Sequence, residues 1–359
     1  MDQFIPSEWL WHYLFVFLGA LASSLFLTWL SIRIMRKFNV MDIPDQRKIH
    51  EKPIPRMAGI GMYISFALPL LLLVPSDYAE RGIIIGAGIA LAIGAFDDIR
   101  GVSAVVKLVS LFLLTILIWR FGVIASFNFG LGRHGNEIVN LVLTMLWLTG
   151  LCSAINALDH MDGLAGGVSV IAAMSYLAVS IQSQQWIWGL VSISLIGSLL
   201  GFLFFNRHPA KIFMGDSGSF FLGFSLASIG IMGGWSSNPI KSVIIPIAVL
   251  SIPIFDLCYV IIARRLNGTT KSLRESIVYC GKDHIGHRLM DMGFCQVNSV
   301  RIVWLTSLTV AISAVTIRYT DRYESFLFLV QIIMIYVILM IFMRAPGQKN
   351  RDDGNKQHK

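Results

Sequence analysis

The chain has 359 residues, of which 55% are hydrophobic and only 14% are charged, and its mean hydropathy is +0.69. A composition this apolar excludes an ordinary soluble domain. Apolar runs of about 20 residues, the length that crosses the hydrocarbon core of a bilayer as a helix, recur along the sequence. The formal net charge is +8, but the lysines and arginines lie between apolar runs, where membrane-topology signals belong, so we expect no nucleic-acid partner.

The apolar runs predict an all-α, polytopic helical membrane protein with about eleven transmembrane helices in a single bundle. The predicted spans cover residues 10–32, 58–75, 82–96, 103–120, 138–157, 165–182, 187–205, 218–234, 241–262, 299–318 and 325–343. Residues 1–343 would form one integral membrane domain, and the polar segment 344–359 a disordered cytoplasmic tail. The loop 121–137 contains an alternating stretch, SFNFGLG, that is compatible with a small hairpin.

The loops alternate in charge, and most of the 29 lysines and arginines fall in every second loop. By the positive-inside rule, this asymmetry predicts that the N-terminus lies outside and the C-terminus in the cytoplasm. The four cysteines show no CxxC spacing, so we expect neither a zinc site nor disulfides.

Five polar clusters lie in the basic loops. In chain order they are DIPDQRKIHEKPIPR from Asp42, FDDIRG from Phe96, NALDHMDG from Asn156, NRHPAKIFMGDSGS from Asn206 and GKDHIGHRL from Gly281. Two predicted spans separate each cluster from the next, so all five should face the same side of the membrane. The loops of the other side hold no comparable cluster, and this sorting indicates one functional site.

The clusters also have purely structural interpretations. Asp97 and Asp98 could cap the helix that follows them, and Asp216 could cap the predicted span that begins at residue 218. The two histidines of the last cluster could be solvated, and the run 47–56 fits a solvated interfacial face. However, two adjacent carboxylates at an apolar boundary repel each other, and a bound cation would relieve that repulsion.

Carboxylates without cysteines suit Mg²⁺ better than zinc. Mg²⁺ typically takes one or two protein carboxylates and shares phosphate oxygens, while basic side chains neutralise the remaining phosphate charge. The clusters therefore predict phosphoryl transfer at one membrane face. No Walker A sequence is present, which disfavours a P-loop NTPase.

Four motifs together give the sequence a specific resemblance. They are DD at 97–98, NxxDxxDG from Asn156, PAKIFMGDSGS from Pro209 and DHxxHRL from Asp283. Through them the chain resembles the polyprenyl-phosphate N-acetylhexosamine-1-phosphate transferases of glycosyltransferase family 4. That family includes enzymes that start O-antigen and teichoic acid synthesis, and the related phospho-muramoyl-pentapeptide translocase. The resemblance covers residues 42–294, and KIHEKPIPRMAGIG looks like the acetylhexosamine branch.

The resemblance implies a reaction. Polyprenyl (undecaprenyl) phosphate attacks the sugar-bearing phosphate of a UDP-N-acetylhexosamine, by default UDP-GlcNAc. UMP leaves, and a polyprenyl-diphosphate-linked sugar remains. Mg²⁺ would be the cofactor, with Mn²⁺ as an alternative. The active site would lie on the cytoplasmic face of the inner membrane in contact with lipid, and the resemblance is compatible with a homodimer.

The resemblance also implies roles for individual residues. Asp97 and Asp98 would lie near the lipid phosphate and the metal, with Asp97 as proton acceptor, and Asp216 would be the main metal ligand beside Asp98. The nucleotide site would be lined by Asn156, Asp159, Asp162, Asn206 and Phe213. Phosphate and sugar groups would be held by Lys48, His50, Arg56, Lys211, His284, His287 and Arg288.

Two positions depart from the family pattern. Many relatives in the acetylhexosamine branch carry three histidines, HxHH, in the last basic loop, where this chain has Gly286 in place of the middle one. Position 160 is His where many relatives have Gly. Because both loops belong to the sugar side of the site, these departures leave the identity of the sugar open.

The residues alone leave two other classes open. A transporter would carry charges near the bilayer midplane and broken helices in matching halves of the chain. A CDP-alcohol phosphotransferase would carry an Arg after its DG pair and a defined downstream Asp spacing, which DGLAGG lacks.

Overall fold

The computed structural model describes residues 7–44, 52–74, 78–279 and 281–344. Its helices are α1 Ser7–Lys37, α2 Gly59–Leu73, α3 Tyr78–Arg100, α4 Ala104–Trp119, α5 Gly132–Leu158, α6 Leu164–Gln182, α7 Trp186–Asn206, α8 Gly215–Met232, α9 Pro239–Val249, α10 Ser251–Leu266, α11 Leu273–Val278, α12 Ile285–Asp291, α13 Gln296–Ile317 and α14 Arg322–Arg344. The strands of the described part, β1 Met41–Asp42 and β2 Ile54–Pro55, form one antiparallel pair. The predicted tail after Arg344 lies outside the described residues.

Seven of the described helices are long and apolar enough to cross a membrane, or eight if one bent pair counts as a single span. The seven are α1, α3, α5, α6, α7, α13 and α14. The apolar helices α2 and α4 are shorter. The chain is therefore a nearly all-helical, multi-pass membrane protein, as predicted, whereas the count of eleven spans stays a prediction.

The core of the bundle surrounds α8. Every residue of α8 from Ser217 to Gly230 is buried, and α3 and α5 pack along it. Serine hydroxyls join the neighbouring helices, because Ser194 and Ser198 of α7 donate to the carbonyl oxygens of Phe66 and Met62 in α2, each at 2.7 Å. Small side chains of this kind let membrane helices approach closely, which fixes the helix ends that carry the polar clusters.

The ninth predicted span, 241–262, is broken. It consists of α9 and α10, which are bent by 71° around Leu250. Pro253 has no N–H group to donate to the carbonyl of Val249, so the helical hydrogen-bond ladder cannot continue through this point. The predicted span is therefore helical but bent, and the bend gives α10 a direction of its own.

The hairpin predicted in the loop 121–137 is absent, since residues 121–131 contain no strand and α5 begins at residue 132. The backbone N–H groups of Ala125 and Phe127 instead donate to the side chains of Thr144 and Asn140, each at 3.0 Å. Side chains one helical turn apart on α5 thus satisfy alternate residues of an extended segment, so the segment needs no partner strand.

Candidate active site

Residues from all five polar clusters line one cavity of about 310 Å³. The lining residues are Asp42, Arg56, Asp98, Asn156, Asp159, His160, Met161, Asp162, Phe213, Gly215, Asp216, His287 and Gln296. Its volume falls in the range of small-molecule sites. The fold therefore collects groups that lie more than 200 positions apart in the sequence at one place.

Helices α3 and α8 cross closely where they contribute Asp98 and Asp216 to this cavity. A side chain on Gly94 would lie 2.2 Å from the carbonyl oxygen of Asp216, so only glycine allows this approach. One turn further along α3, the Asp98 carboxylate accepts hydrogen bonds from the backbone N–H groups of Asp216 and Ser217, at 3.1 and 3.0 Å. Asp98 thereby satisfies the first turn of α8, where N–H groups lack helical partners.

This contact corrects both capping interpretations. The helix that follows the Asp pair, α4, is capped by Ser103, whose hydroxyl accepts from the N–H of Val106. Asp98 caps α8 instead, more than a hundred positions away. Asp216 lies within the first turn of α8 rather than at its capping position, so its carboxylate is left for other partners.

Lys107 joins the carboxylates of Asp97 and Asp216. Its ammonium donates to Asp216 at 2.8 Å and also pairs with Asp97. The sequence analysis did not single out Lys107 as a site residue. The signal was present, because a lysine within a predicted apolar span is costly unless it is paired.

The loop between α5 and α6 is tied to the loop between α7 and α8. Asp162 accepts from the N–H of Ala210 at 3.1 Å and contacts the His208 ring nitrogen at 2.8 Å. Asn206 is buried, accepts from the N–H of Gly163 and donates to the carbonyl of Ile212. Because its amide is used on both sides, Asn206 holds the two loops together and does not line the cavity.

Asp159 and Asn156 face the cavity at the end of α5. Burial raises the pKa of Asp159 to about 8, and the negative charges of Asp216 and Asp98 act in the same direction. Asn156 donates to the hydroxyl of Ser219 on α8 at 2.9 Å. Repulsion between the neighbouring carboxylates contributes to the raised pKa of Asp159, and a cation bound beside them would relieve it.

The last basic loop is anchored by two residues that the sequence analysis did not single out. Asp256 of α10 is fully buried; its carboxylate contacts the His284 ring nitrogen and accepts from the N–H of Ile285, each at 2.7 Å. Arg264 donates twice to Asp283, also at 2.7 Å. For Asp256, the available signal was an acid within a predicted apolar span.

Arg264 lowers the pKa of Asp283, because its hydrogen bonds and its charge outweigh the opposing effect of burial. The same guanidinium donates to the carbonyl oxygens of Ser276 and Tyr279, at 2.7 and 2.8 Å. One side chain therefore fixes both ends of the segment that leads into α12. This support holds the histidines of α12 in place.

Three imidazole rings meet between the α5–α6 loop and α12. The ring of His160 lies 5.3 Å from that of His284 and 4.9 Å from that of His287, between centroids. Burial lowers the pKa of His160 to about 4, and burial together with the charge of His284 lowers that of His287. Both rings are therefore neutral near pH 7.

The remaining predicted phosphate- and sugar-binding residues differ in whether they line the cavity. Arg56 lines the cavity and donates to the backbone carbonyl of Asp98, whereas its Nε has no partner in the described structure. Arg288 and Lys211 do not line the cavity, and Lys211 is exposed. Lys48 and His50 lie outside the described residues.

The carboxylates of the cavity are the side chains that could hold a metal ion. Within the described residues, no group of three or more His, Cys, Asp or Glu side chains forms a ready metal site. The Asp97 and Asp216 carboxylates nevertheless converge on a cation, the Lys107 ammonium, and Asp98 lies beside them. An oxygen-only set of this size fits Mg²⁺, which completes its coordination with water and phosphate oxygens.

The fold and the cavity define a class: a multi-pass membrane protein with an acidic and imidazole-lined site at one end of its helices. Comparison with known proteins gives the family. Residues 81–234 match the family described as glycosyl transferase family 4. The chain is 35% identical over 338 residues to a Bacillus subtilis protein named probable undecaprenyl-phosphate N-acetylglucosaminyl 1-phosphate transferase, covering 92% of this chain and 90% of that one.

Two further relatives agree with this match. The chain is 28% identical to the decaprenyl-phosphate N-acetylglucosaminephosphotransferase of Mycolicibacterium smegmatis, over 89% of this chain and 85% of the relative. A 100-residue stretch, 28% of this chain and 31% of the relative, is 42% identical to a phospho-N-acetylmuramoyl-pentapeptide-transferase of Lactobacillus johnsonii. The chain belongs to glycosyl transferase family 4, which confirms the resemblance found in the sequence.

Proposed function

We propose that the protein is a phosphotransferase that moves N-acetylhexosamine 1-phosphate, by default GlcNAc 1-phosphate, from a UDP-sugar to polyprenyl phosphate. UMP is released, and a polyprenyl-diphosphate-linked sugar is formed for cell-envelope polysaccharide synthesis. The observation that carries the proposal is the convergence of all five polar clusters on one cavity. The names of the Bacillus and Mycolicibacterium relatives support the same donor and acceptor classes.

The UDP-sugar occupies the cavity in this proposal. Asn156, Asp159 and Phe213 contact the nucleotide, and His287 and Arg56 contact the diphosphate or the sugar. Asn206 and Asp162 act by holding the loops that form the cavity wall, which the hydrogen bonds of both side chains support.

Polyprenyl phosphate approaches from the membrane side through an apolar groove between α3 and α4. The groove is lined by Ile89, Ala92, Ile93, Phe96, Val102, Val106, Lys107 and Ser110. Phe96 and Val106 are 59% and 50% exposed, so the groove is open to lipid. Lys107 lies both in this groove and between Asp97 and Asp216, which supports a lipid phosphate next to the carboxylates.

Asp216, with Asp98 beside it, would hold Mg²⁺, and the ion would supply positive charge near the diphosphate that is cleaved. Asp98 also fixes the first turn of α8, on which Asp216 lies. Asp97 accepts a proton from the lipid phosphate when that phosphate is singly ionised. A phosphate monoester has a second pKa of about 6, so most of it is already ionised near pH 7. Positioning and charge neutralisation by Lys107 and Arg56 therefore supply most of the catalysis.

The membrane arrangement follows from the charge asymmetry of the loops. We place eleven spans in the cytoplasmic membrane, the N-terminus outside, and the C-terminus and the cavity on the cytoplasmic side. In this arrangement a UDP-sugar reaches the cavity from the cytosol while the polyprenyl chain stays in the bilayer.

The test is UMP release by detergent-purified protein given polyprenyl phosphate, Mg²⁺ and a panel of UDP-sugars. We expect UMP from a UDP-N-acetylhexosamine, with strict dependence on the lipid. EDTA should abolish release, and excess Mg²⁺ should restore it. Folded protein that binds a UDP-sugar without releasing UMP would instead favour the transporter alternative. That alternative predicts broken helices in matching halves, whereas the described residues contain a single bent pair.

A further inference from the structure

Most polar side chains that line the cavity are already bonded to other parts of the protein. Asp98 accepts from the first turn of α8, Asp162 is tied to the α7–α8 loop, and Asp216 pairs with a lysine. Asn156 donates to the hydroxyl of Ser219. These contacts fix the shape and the charge of the cavity. The ionised carboxylates among them only accept hydrogen bonds, so they cannot serve an acceptor group on a substrate.

Gln296 differs from these residues because its amide is uncommitted. It is the first residue of α13, lines the cavity and is partly exposed. Its side chain makes no hydrogen bond within the described residues, and neither of its amide atoms is enclosed. Nε2 of His160, by contrast, is enclosed, since a Cβ on Gly286 would lie only 2.7 Å from it. Gln296 therefore offers an occupant of the cavity two N–H donors and one carbonyl acceptor.

The wall of the cavity next to Gln296 is uncharged. His287 of α12 lines the same cavity, and its ring is neutral near pH 7 because burial and the charge of His284 lower its pKa. Helix α12 packs against α13, and all charged side chains in the cavity lining come from other elements. A diphosphate is best bound by cationic side chains. The wall formed by His287 and Gln296 therefore suits an uncharged part of the UDP-sugar.

We propose that Gln296 is a specificity-determining residue whose side-chain amide forms a hydrogen bond with an uncharged amide group of the donor UDP-N-acetylhexosamine. The donor carries two such groups, the acetamido group of the sugar and the imide edge of the uracil. Each offers an N–H and a C=O, which match the acceptor and the donors of a glutamine amide. This inference rests on the proposed function and names a residue that recognises the donor.

Gln296→Met keeps an unbranched side chain of similar length but removes the amide. We expect the KM for UDP-N-acetylglucosamine to rise about fivefold, the factor for one lost hydrogen bond between uncharged groups. The KM for polyprenyl phosphate should stay at the wild-type value, because that substrate has no amide group. Asn298→Met is the matched control, since Asn298 is an exposed amide in the first turn of α13 that does not line the cavity.

Inhibition by UDP-glucose and by UMP identifies which amide is bound. If Gln296 binds the acetamido group, the inhibition constants of both compounds should be unchanged in Gln296→Met, because neither compound has that group. If Gln296 binds the uracil, both inhibition constants should rise by the same factor as the KM for UDP-N-acetylglucosamine. Either pattern supports the proposed role of Gln296.

A Gln296→Met protein with a wild-type KM for UDP-N-acetylglucosamine would overturn the inference. An equal rise in Asn298→Met, or an equal rise in the KM for polyprenyl phosphate, would do the same. Failure of the proposed function is recognised separately, because wild-type protein would then release no UMP from any UDP-sugar. In that event, equilibrium binding of UDP-N-acetylglucosamine to wild-type and Gln296→Met protein decides the role of Gln296. Equal affinities, or no binding to either protein, would reject it.

Discussion

Lys107 of α4 and Asp216 of α8 form an ion pair of 2.8 Å, although 109 positions separate them in the chain. The same ammonium pairs with Asp97 of α3. A cation between two carboxylates offsets their mutual repulsion, which is strong in a partly buried site. Lys107 also lines the α3–α4 groove, so it connects the proposed lipid path with the proposed metal ligands.

Replacement of Lys107 should remove this connection. Lys107→Met leaves the Asp97 and Asp216 carboxylates unbalanced and takes away a positive charge next to the lipid phosphate. We expect kcat/KM for UMP release to fall about 100-fold or more, the usual effect of losing one electrostatic contact in an active site. Lys271→Met, an exposed lysine outside the cavity and the groove, is the matched control. Wild-type kcat/KM in Lys107→Met would rule out the role proposed for this lysine.

Substitutions of Asp98 and of Asp216 should differ in their effect on the free energy of unfolding. Asp98 accepts from two N–H groups of α8, so Asp98→Ala should cost about 0.5–2 kcal/mol of folding free energy as well as activity. Asp216→Asn should abolish Mg²⁺-dependent turnover with little loss of stability, since Asp216 caps nothing. Thermal unfolding in detergent, read beside UMP release, distinguishes the two. An Asp98→Ala protein as stable as wild type would contradict the capping role.

The α3–α4 groove should control affinity for the lipid alone. Ala92→Phe places a ring in the groove, and we expect the KM for polyprenyl phosphate to rise severalfold while the KM for the UDP-sugar is unchanged. Ala22→Phe, an exposed alanine on α1 away from the groove, controls for a general effect of added bulk. Equal effects of the two variants on lipid KM would argue that the lipid does not use this groove.

Acidification should destabilise the protein through His160. The pKa of His160 is lowered to about 4, whereas an unfolded histidine titrates near about 6.5. Between these values the unfolded chain binds more protons, so this contribution to stability is complete above about pH 6.5 and is lost as the pH falls towards 4.

From pH 7.5 to 5 we expect His160 to account for a loss on the order of 2 kcal/mol. The melting temperature of the wild type should therefore fall more than that of His160→Phe over this range. Parallel falls in the two proteins would show that His160 does not titrate as its burial requires.

The membrane class, and the five clusters that meet at one cavity, could be predicted because they depend on local pattern. Long apolar runs define spans, and the order of clusters along the chain fixes which loops share a side. The pattern did not reveal the bend of 71° near Pro253. It also did not reveal that the backbone of residues 121–131 bonds to side chains of α5 instead of forming a hairpin. For Asn206, predicted to line the nucleotide site, the structure adds hydrogen bonds from its amide to two loops.

The sequence by itself determined that this is a multi-pass helical membrane protein of glycosyl transferase family 4, with its acids and histidines gathered on one side. Only the tertiary structure decided which groups touch: Lys107 between Asp97 and Asp216, Asp98 at the first turn of α8, and His160 against Gly286. The physical reason is that hydrophobic periodicity places a residue on a helix and a side of the membrane. Contacts between side chains, by contrast, depend on helix crossings set by small residues such as Gly94, which carry no signal of their partner.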